Sequence, residues 1–179
     1  LSEEGTLVLS AQPGAGKTTR VPPAILDAGL ADLPGKHEGL IIVLQPRRVA
    51  ARAAAARISE ERGTELGAET GYQVRFEKQS SNRTRVLICT EGIFLRKLQD
   101  DPFLEDTAAV IFDEFHERSI DSDLALAMVR QVRNEVRPDL KLVVMSATLD
   151  TKSVAQYLGN CPVVESPGRT YPIEIEYLQ

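Results

Sequence analysis

Tryptophan is missing from this chain and aromatic residues make up only 5% of it, so the core must be aliphatic, built from Val, Ile, Leu and Ala. Cysteine is almost as scarce. Cys89 and Cys161 form no CxxC pair, which disfavours a disulfide scaffold and a zinc ribbon and makes the reducing cytosol the expected compartment. No apolar run approaches the roughly 18 residues of a membrane span, and no secretory leader opens the chain. It starts at Leu1 rather than Met, which suggests a piece of something longer. Its 179 residues are one domain's worth, at roughly 100–200 residues per domain. An excess of positive charge is lacking too: 21 Lys and Arg face 26 Asp and Glu, a net −5, unlike a generic polyanion binder. The charge is uneven, however. Five Arg and two Glu lie between Gln45 and Arg62, and four cations and one Glu between Arg75 and Arg85, so a basic edge on an acidic body leaves nucleic acid open as a partner.

What the chain does have is a recurring pair of patterns. Short aliphatic runs appear at Thr6–Ser10, Leu40–Leu44, Val86–Cys89, Ala109–Phe112 and Leu142–Met145. Continuous rather than alternating apolarity predicts strands buried on both faces, hence a parallel sheet. Helical stretches separate them: Lys17–Ala28, Arg47–Arg62, Glu91–Gln99, Asp121–Val136 and Asp150–Leu158. In the fourth, Leu124, Met128, Val132 and Val136 form the expected core stripe. Alternating β and α elements predict a mostly parallel sheet with helices on both faces. Gly29–Gly39 reads as a loop, Glu77–Arg83 as an exposed polar turn, and Pro167–Tyr177 as a linker leading into an edge strand.

The strongest chemical signal is Ala11-Gln-Pro-Gly-Ala-Gly-Lys-Thr-Thr19, which follows a strand and opens a helix, the setting a phosphate-binding P-loop requires. Gly14 and Gly16 let backbone N–H groups wrap a phosphate, and the helix N-terminus adds positive partial charge. Lys17 suits the β and γ oxygens of a nucleoside triphosphate, and the Thr18 hydroxyl suits Mg²⁺. Pro13, Ala15 and Thr19 complete the predicted ATP-binding set. Ala11 stands where the general pattern has its first Gly, which leaves the mechanism intact.

Such a loop needs a carboxylate at the end of a neighbouring strand. Asp113 follows the run Ala109–Phe112 and fits the role of holding Mg²⁺ through water, with Glu114 next to it to orient or deprotonate a water for attack on the γ-phosphate. The pair argues for ATP hydrolysis rather than transfer to an acceptor. His116, two residues on, is either structural or part of this chemistry, and metal ligation is disfavoured because its only fellow, His37, lies in a loop. Ser146-Ala-Thr148 ends the strand Leu142–Met145, and its small hydroxyls suit hydrogen bonds to the Asp-Glu loop that would report the nucleotide state.

Together these elements resemble the DEAH-box helicases of superfamily 2, most closely the bacterial HrpB-like branch, over essentially the whole chain. Ala11–Thr18 is similar to motif I, Gln45–Ala51 to motif Ia, Thr90-Glu-Gly92 to motif Ib, Asp113–Ser119 to motif II and Ser146–Thr148 to motif III. Gly71–Glu77 matches a family segment near the nucleic-acid side, and Pro167–Pro172 the passage out of the first RecA-like domain. The resemblance implies a RecA-like ATP-binding domain over residues 1–170, with 171–179 leading toward a second RecA-like domain that would supply arginine fingers. It implies ATP and Mg²⁺ as cofactors, with Mg²⁺ held by Thr18 and, through water, by Asp113 and Glu114. Single-stranded nucleic acid, RNA favoured over DNA, would contact Arg47, Arg48 and Thr90, and Arg57 would stack on adenine. Read as residues alone, these Arg equally fit a solvated helix face. One departure stands out: the family's Ala between Glu and His is Phe115 here, a bulky ring that bears on how His116 meets motif III.

The expected function is therefore the ATP-binding domain of a cytoplasmic ATP-dependent helicase. An ATP-responsive nucleic-acid-binding or ribonucleoprotein-remodelling module without unwinding is the alternative. A small-molecule P-loop kinase fits poorly, because the connections leave no room for a lid or a substrate-binding insertion.

Overall fold

Strands flanked by apolar neighbours on both faces have to sit at the centre of a layered fold, and they do. The computed structural model describes residues 1, 3–33, 35, 38–147 and 151–166. Eight strands form one sheet: β1 (Thr6–Ala11), β2 (Leu40–Leu44), β3 (Thr70–Val74), β4 (Glu77–Gln79), β5 (Val86–Cys89), β6 (Thr107–Phe112), β7 (Lys141–Ser146) and β8 (Val163–Ser166). Their order is β4-β3-β5-β2-β6-β7-β1-β8. Every pairing is parallel except the β3–β4 hairpin. The five expected strands are the sheet's middle, where both faces are covered.

Successive residues of each central strand feed opposite cores. Ile42, Leu44, Phe112, Leu142 and Val144 pack on one side with Phe94 and Leu98 of α3 (Glu91–Asp100), Ala125, Leu126 and Val129 of α4 (Ile120–Glu135) and Val154 of α5 (Thr151–Tyr157). Ile41, Val43, Ile111, Val143 and Met145 pack on the other with Ile25 of α1 (Lys17–Asp27) and Ala51, Ala54, Ala55 and Ile58 of α2 (Arg48–Arg62). Full burial of one such aliphatic side chain contributes about 1.5–3 kcal/mol, so the doubly covered centre holds the sheet together. The Ala run of α2 serves twice, as good helix former and as a thin face that lets the helix lie close to the sheet. Cys89 and Cys161 are free and buried, and burial pushes the Cys89 thiol up to about 12, consistent with core roles.

Two expectations need correcting. The buried face of α4 is Ser122, Ala125, Leu126 and Val129, while Leu124 and Val136 are each 48% exposed. Met128 and Val132 lie partly buried at the boundary. The smaller residues face the sheet because they allow close approach. The stretch Glu77–Arg83 is not simply a turn: Glu77–Gln79 pairs with β3, an exposed edge strand whose polar side chains hid it. The predicted edge strand beyond Pro167 lies outside the described residues.

Candidate nucleotide and nucleic-acid site

Adjacent parallel strands bring their carboxyl ends to one edge, and there the chemistry collects. Across β1, β7, β6, β2 and β5, that edge presents in turn the loop after Ala11, Ser146, Asp113, Gln45 and Thr90. Gly14 and Gly16 have φ of +78° and +79°; a Cβ at Gly14 would meet nothing within 4 Å, so left-handed backbone rather than crowding calls for glycine. Gly16 caps α1, whose first turn offers N–H groups to an anion. Lys17 is 6% exposed, and its Nζ donates to the carbonyls of Ala11 (2.6 Å) and Gln12 (3.2 Å), which hold the ammonium at the loop's base.

Asp113 is 3% exposed, directly beyond β6. The Thr18 hydroxyl donates to its Oδ2 at 2.5 Å and the Gln45 amide to the same oxygen at 2.8 Å, while Oδ1 accepts from the Glu114 N–H at 3.0 Å. Burial, and behind it the neighbouring Glu114 charge, pushes the Asp113 carboxyl up to about 6, against the opposing Thr18 hydrogen bond. Because Thr18 donates its proton to Asp113, its oxygen lone pairs are left for a cation, and a poorly solvated carboxylate beside it adds charge. The donor set thus fits a hard divalent ion bound through oxygen.

Glu114 adopts φ +50°, in the left-handed region that β-substituted residues rarely occupy. That turn sends the chain into a short 3-10 helix, Phe115–Glu117. His116 Nε2 lies 3.3 Å from Glu114 Oε2, and His116 Nδ1 accepts from the Ala147 N–H at 3.2 Å. Accepting at Nδ1 puts the neutral imidazole's proton on Nε2, facing Glu114. His116 therefore bridges the Asp-Glu loop to the end of β7. Phe115 points the other way: it is 3% exposed, edge-on to Phe112 with centroids 6.0 Å apart, and it leaves His116 and Ala147 in contact. The ring belongs to the core.

The flank beyond Asp113 is basic. Arg47, the N-cap residue of α2, is exposed and pairs with Glu117 at 2.7 Å. Arg48 follows it on the surface, and Thr90 caps α3 beside them, because β2 and β5 are neighbours. Ser119 Oγ donates to Glu91 at 2.6 Å and accepts from the Ser122 N–H, so it caps α4 and ties it to α3. At the β3–β4 tip, Phe76 is 92% exposed at φ +68°, with the Arg75 guanidinium 4.7 Å from its ring centroid.

Residues 1–157 match the model of the DEAD/DEAH box helicase family. The chain belongs to that family. It is 43% identical over 177 residues to the ATP-dependent RNA helicase HrpA homolog of Haemophilus influenzae, covering 99% of this chain and 13% of the relative. Over 179 residues it is 41% identical to the DExH-box ATP-dependent RNA helicase DExH1 of Arabidopsis thaliana, covering 100% of this chain and 18% of the relative. The crystal structure of the E. coli DExH-box NTPase HrpB superposes with a TM-score of 0.85 at 44% identity, over 97% of this chain and 21% of that one. The fold is thus RecA-like, as the sequence predicts, and the chain spans less than a fifth of these curated relatives.

Within this helicase domain, Pro13–Thr19, Asp113, Glu114 and His116 come together at one end of β1, β7 and β6, and Arg47, Arg48 and Thr90 at the ends of β2 and β5. Arg57 sits apart on the exposed face of α2, bound to Glu61 (2.8 Å) and Glu60 (3.2 Å); Glu61 also reaches Arg20 of α1 at 3.8 Å. Ser146 is buried at the end of β7, and Thr148 lies outside the described residues. Gln45, Glu91 and Glu117 lie inside the motif-like segments, but sequence reasoning assigned them no role; they are the partners of Asp113, Ser119 and Arg47. The signal for Gln45 was a lone amide between an apolar strand and Pro46.

Proposed function

We propose that this chain is the ATP-binding domain, residues 1–170, of a cytoplasmic ATP-dependent RNA helicase, and that residues 171–179 lead to a second RecA-like domain that completes the site. The observation that carries the reading is the Thr18–Asp113 hydrogen bond, which joins the P-loop to the acidic loop across the sheet. In this reading Pro13–Thr19 wrap the triphosphate and Lys17 moves from its carbonyl partners to the β and γ oxygens. Thr18 directly, and Asp113 and Glu114 through water, would hold Mg²⁺, which would neutralise the phosphate oxygens when bound. Glu114 orients and deprotonates the attacking water, and His116 holds the Glu114 carboxylate while touching the end of β7. Arg57 flanks the adenine. Ser146 and Thr148 couple the nucleotide state to the rest of the domain.

Single-stranded RNA would lie along Arg48, Arg47 and Thr90. Arg47 is paired with Glu117, the end of the acidic loop, so a phosphate that draws Arg47 away acts directly on the loop carrying Glu114. The exposed Arg75–Phe76 tip offers a further cation and a stacking ring on the same side of the sheet's β3 end. No helix among the described residues is long and apolar enough to cross a membrane. The remodelling-module alternative differs only in lacking strand separation.

The test is phosphate release by this chain and by the protein carrying a second RecA-like domain, each with and without single-stranded RNA. The chain alone should turn over slowly and without stimulation, since a trans arginine finger is worth about 10³–10⁵ in kcat. Equal stimulated rates would place every catalytic group within these 179 residues and refute the two-domain scheme.

A further inference from the structure

We propose that Gln45 is a positioning residue for Asp113, its buried amide setting how that carboxylate meets Mg²⁺. The proposal rests on the reading of Thr18 and Asp113 as the Mg²⁺ site.

Gln45 is 3% exposed and stands at the end of β2, immediately after the apolar run Leu40–Leu44. A buried amide left without a partner is costly, so its pairing is the informative fact. Its Nε2 donates to Asp113 Oδ2 at 2.8 Å. The backbones of the two residues are locked in the same ladder: the Gln45 N–H donates to the Cys89 carbonyl and the Asp113 N–H to the Leu44 carbonyl, both at 2.9 Å. The amide is therefore delivered to the carboxylate from a rigid neighbouring strand rather than from a loop.

Three donors, from Thr18, Gln45 and Glu114, fix the plane of the Asp113 carboxylate. Thr18 is itself assigned to Mg²⁺, and Glu114 belongs to the loop that must respond to the γ-phosphate. Gln45 alone among the three is held outside the moving chemistry. Its neutrality matters as much as its position. A Lys or Arg there would form an ion pair and cancel the charge the cation needs, whereas an amide orients the carboxylate and leaves it anionic. The segment continues through Pro46 to Arg47, which pairs with Glu117, so the acidic loop is held at both ends by residues two apart in the chain.

Gln45→Met keeps the side-chain length and removes the donor. The probe is a fluorescent ATP analogue titrated against this chain at a series of Mg²⁺ concentrations and in EDTA, with thermal unfolding to confirm the fold. The variant should need about 10-fold or more Mg²⁺ for half-maximal tightening, as loss of outer-sphere partners generally does, with affinity in EDTA within about 2-fold of wild type. A folded Gln45→Met chain with wild-type Mg²⁺ dependence would overturn the proposal. Should that variant unfold, Gln45→Asn, whose amide is one methylene short, must show the same Mg²⁺-selective loss, and wild-type behaviour there overturns it equally. A wild-type chain whose nucleotide affinity ignores Mg²⁺ would instead overturn the reading of Thr18 and Asp113, and the proposal with it.

Discussion

Replacing Phe115 by Ala, the residue the DEAH pattern carries there, separates a core role from a role in the phosphate site. The ring is 3% exposed, packs edge-on to Phe112 at 6.0 Å, and has the Arg118 guanidinium 5.3 Å from its centroid. Truncating a core Phe costs about 3–5 kcal/mol, part of it for the cavity left behind. Phe115 also walls a groove of about 350 Å³ with Leu126, Val154 and Tyr157, so water can enter the vacated space. That places the expected loss near the lower end, about 3 kcal/mol. For a chain of this size it amounts to a fall of about 6–12 °C in Tm. Urea and thermal unfolding give the stability, and a fluorescent nucleotide titration gives the affinity, which should stay within about 3-fold of wild type because the ring faces away from the loop. An Ala variant of unchanged Tm that binds nucleotide poorly would refute the placement of the ring in the core.

The remaining expectations follow from the same edge of the sheet. Glu114→Gln keeps the loop's shape and the cation's partners, so the two-domain protein should bind ATP and turn it over at least about 100-fold more slowly, by loss of the general base; normal turnover would remove Glu114 from that role. Reversing both Arg47 and Arg48 to Glu should weaken binding to all single strands alike and lower the salt slope by about 0.7 for each phosphate no longer neutralised; unchanged binding would make them a solvated face. Asp113→Asn probes the buried charge. A carboxyl raised from 3.8 to about 6 favours the fold while protonated, so that contribution is complete below the unfolded value and lost as pH rises through about 6. At about 1.4 kcal/mol per unit, the stability of wild type relative to Asp113→Asn should fall by about 2 kcal/mol between pH 4 and 7, read from urea midpoints; a rise over that range would contradict the burial argument.

Local chemistry was legible in the residues alone. The P-loop, the Asp-Glu pair and the five central strands each declare themselves within a few residues, because a phosphate cradle needs glycine at fixed offsets and a doubly covered strand needs an unbroken apolar run. Elements without an unbroken apolar run were harder to find. Thr70–Val74 is interrupted by Gly71 and Gln73, β4 is exposed throughout, and only Val163 of β8 is even partly buried. On α4 two apolar stripes compete, and only packing selects the one with Ser122 and Ala125. The supporting partners of the site were hidden for another reason: Gln45 meets Asp113 across 68 positions, Arg47 meets Glu117 across 70, and Ser119 meets Glu91 across 28. No local pattern encodes such pairs. The direction of the Phe115 ring was not legible in the sequence, and only the turn made by Glu114 and the packing on Phe112 show that it goes inward.

The central claim, that this edge binds Mg²⁺–ATP through Lys17, Thr18 and Asp113, is tested most directly by equilibrium titration of ATP against the wild-type chain and Lys17→Ala, each with Mg²⁺ and with EDTA. Wild type should bind weakly and more tightly with Mg²⁺. Lys17→Ala should remain folded and lose about 10-fold or more in affinity, the worth of a hydrogen bond to a charged group. A folded Lys17→Ala chain that binds Mg²⁺–ATP as well as wild type would contradict the account.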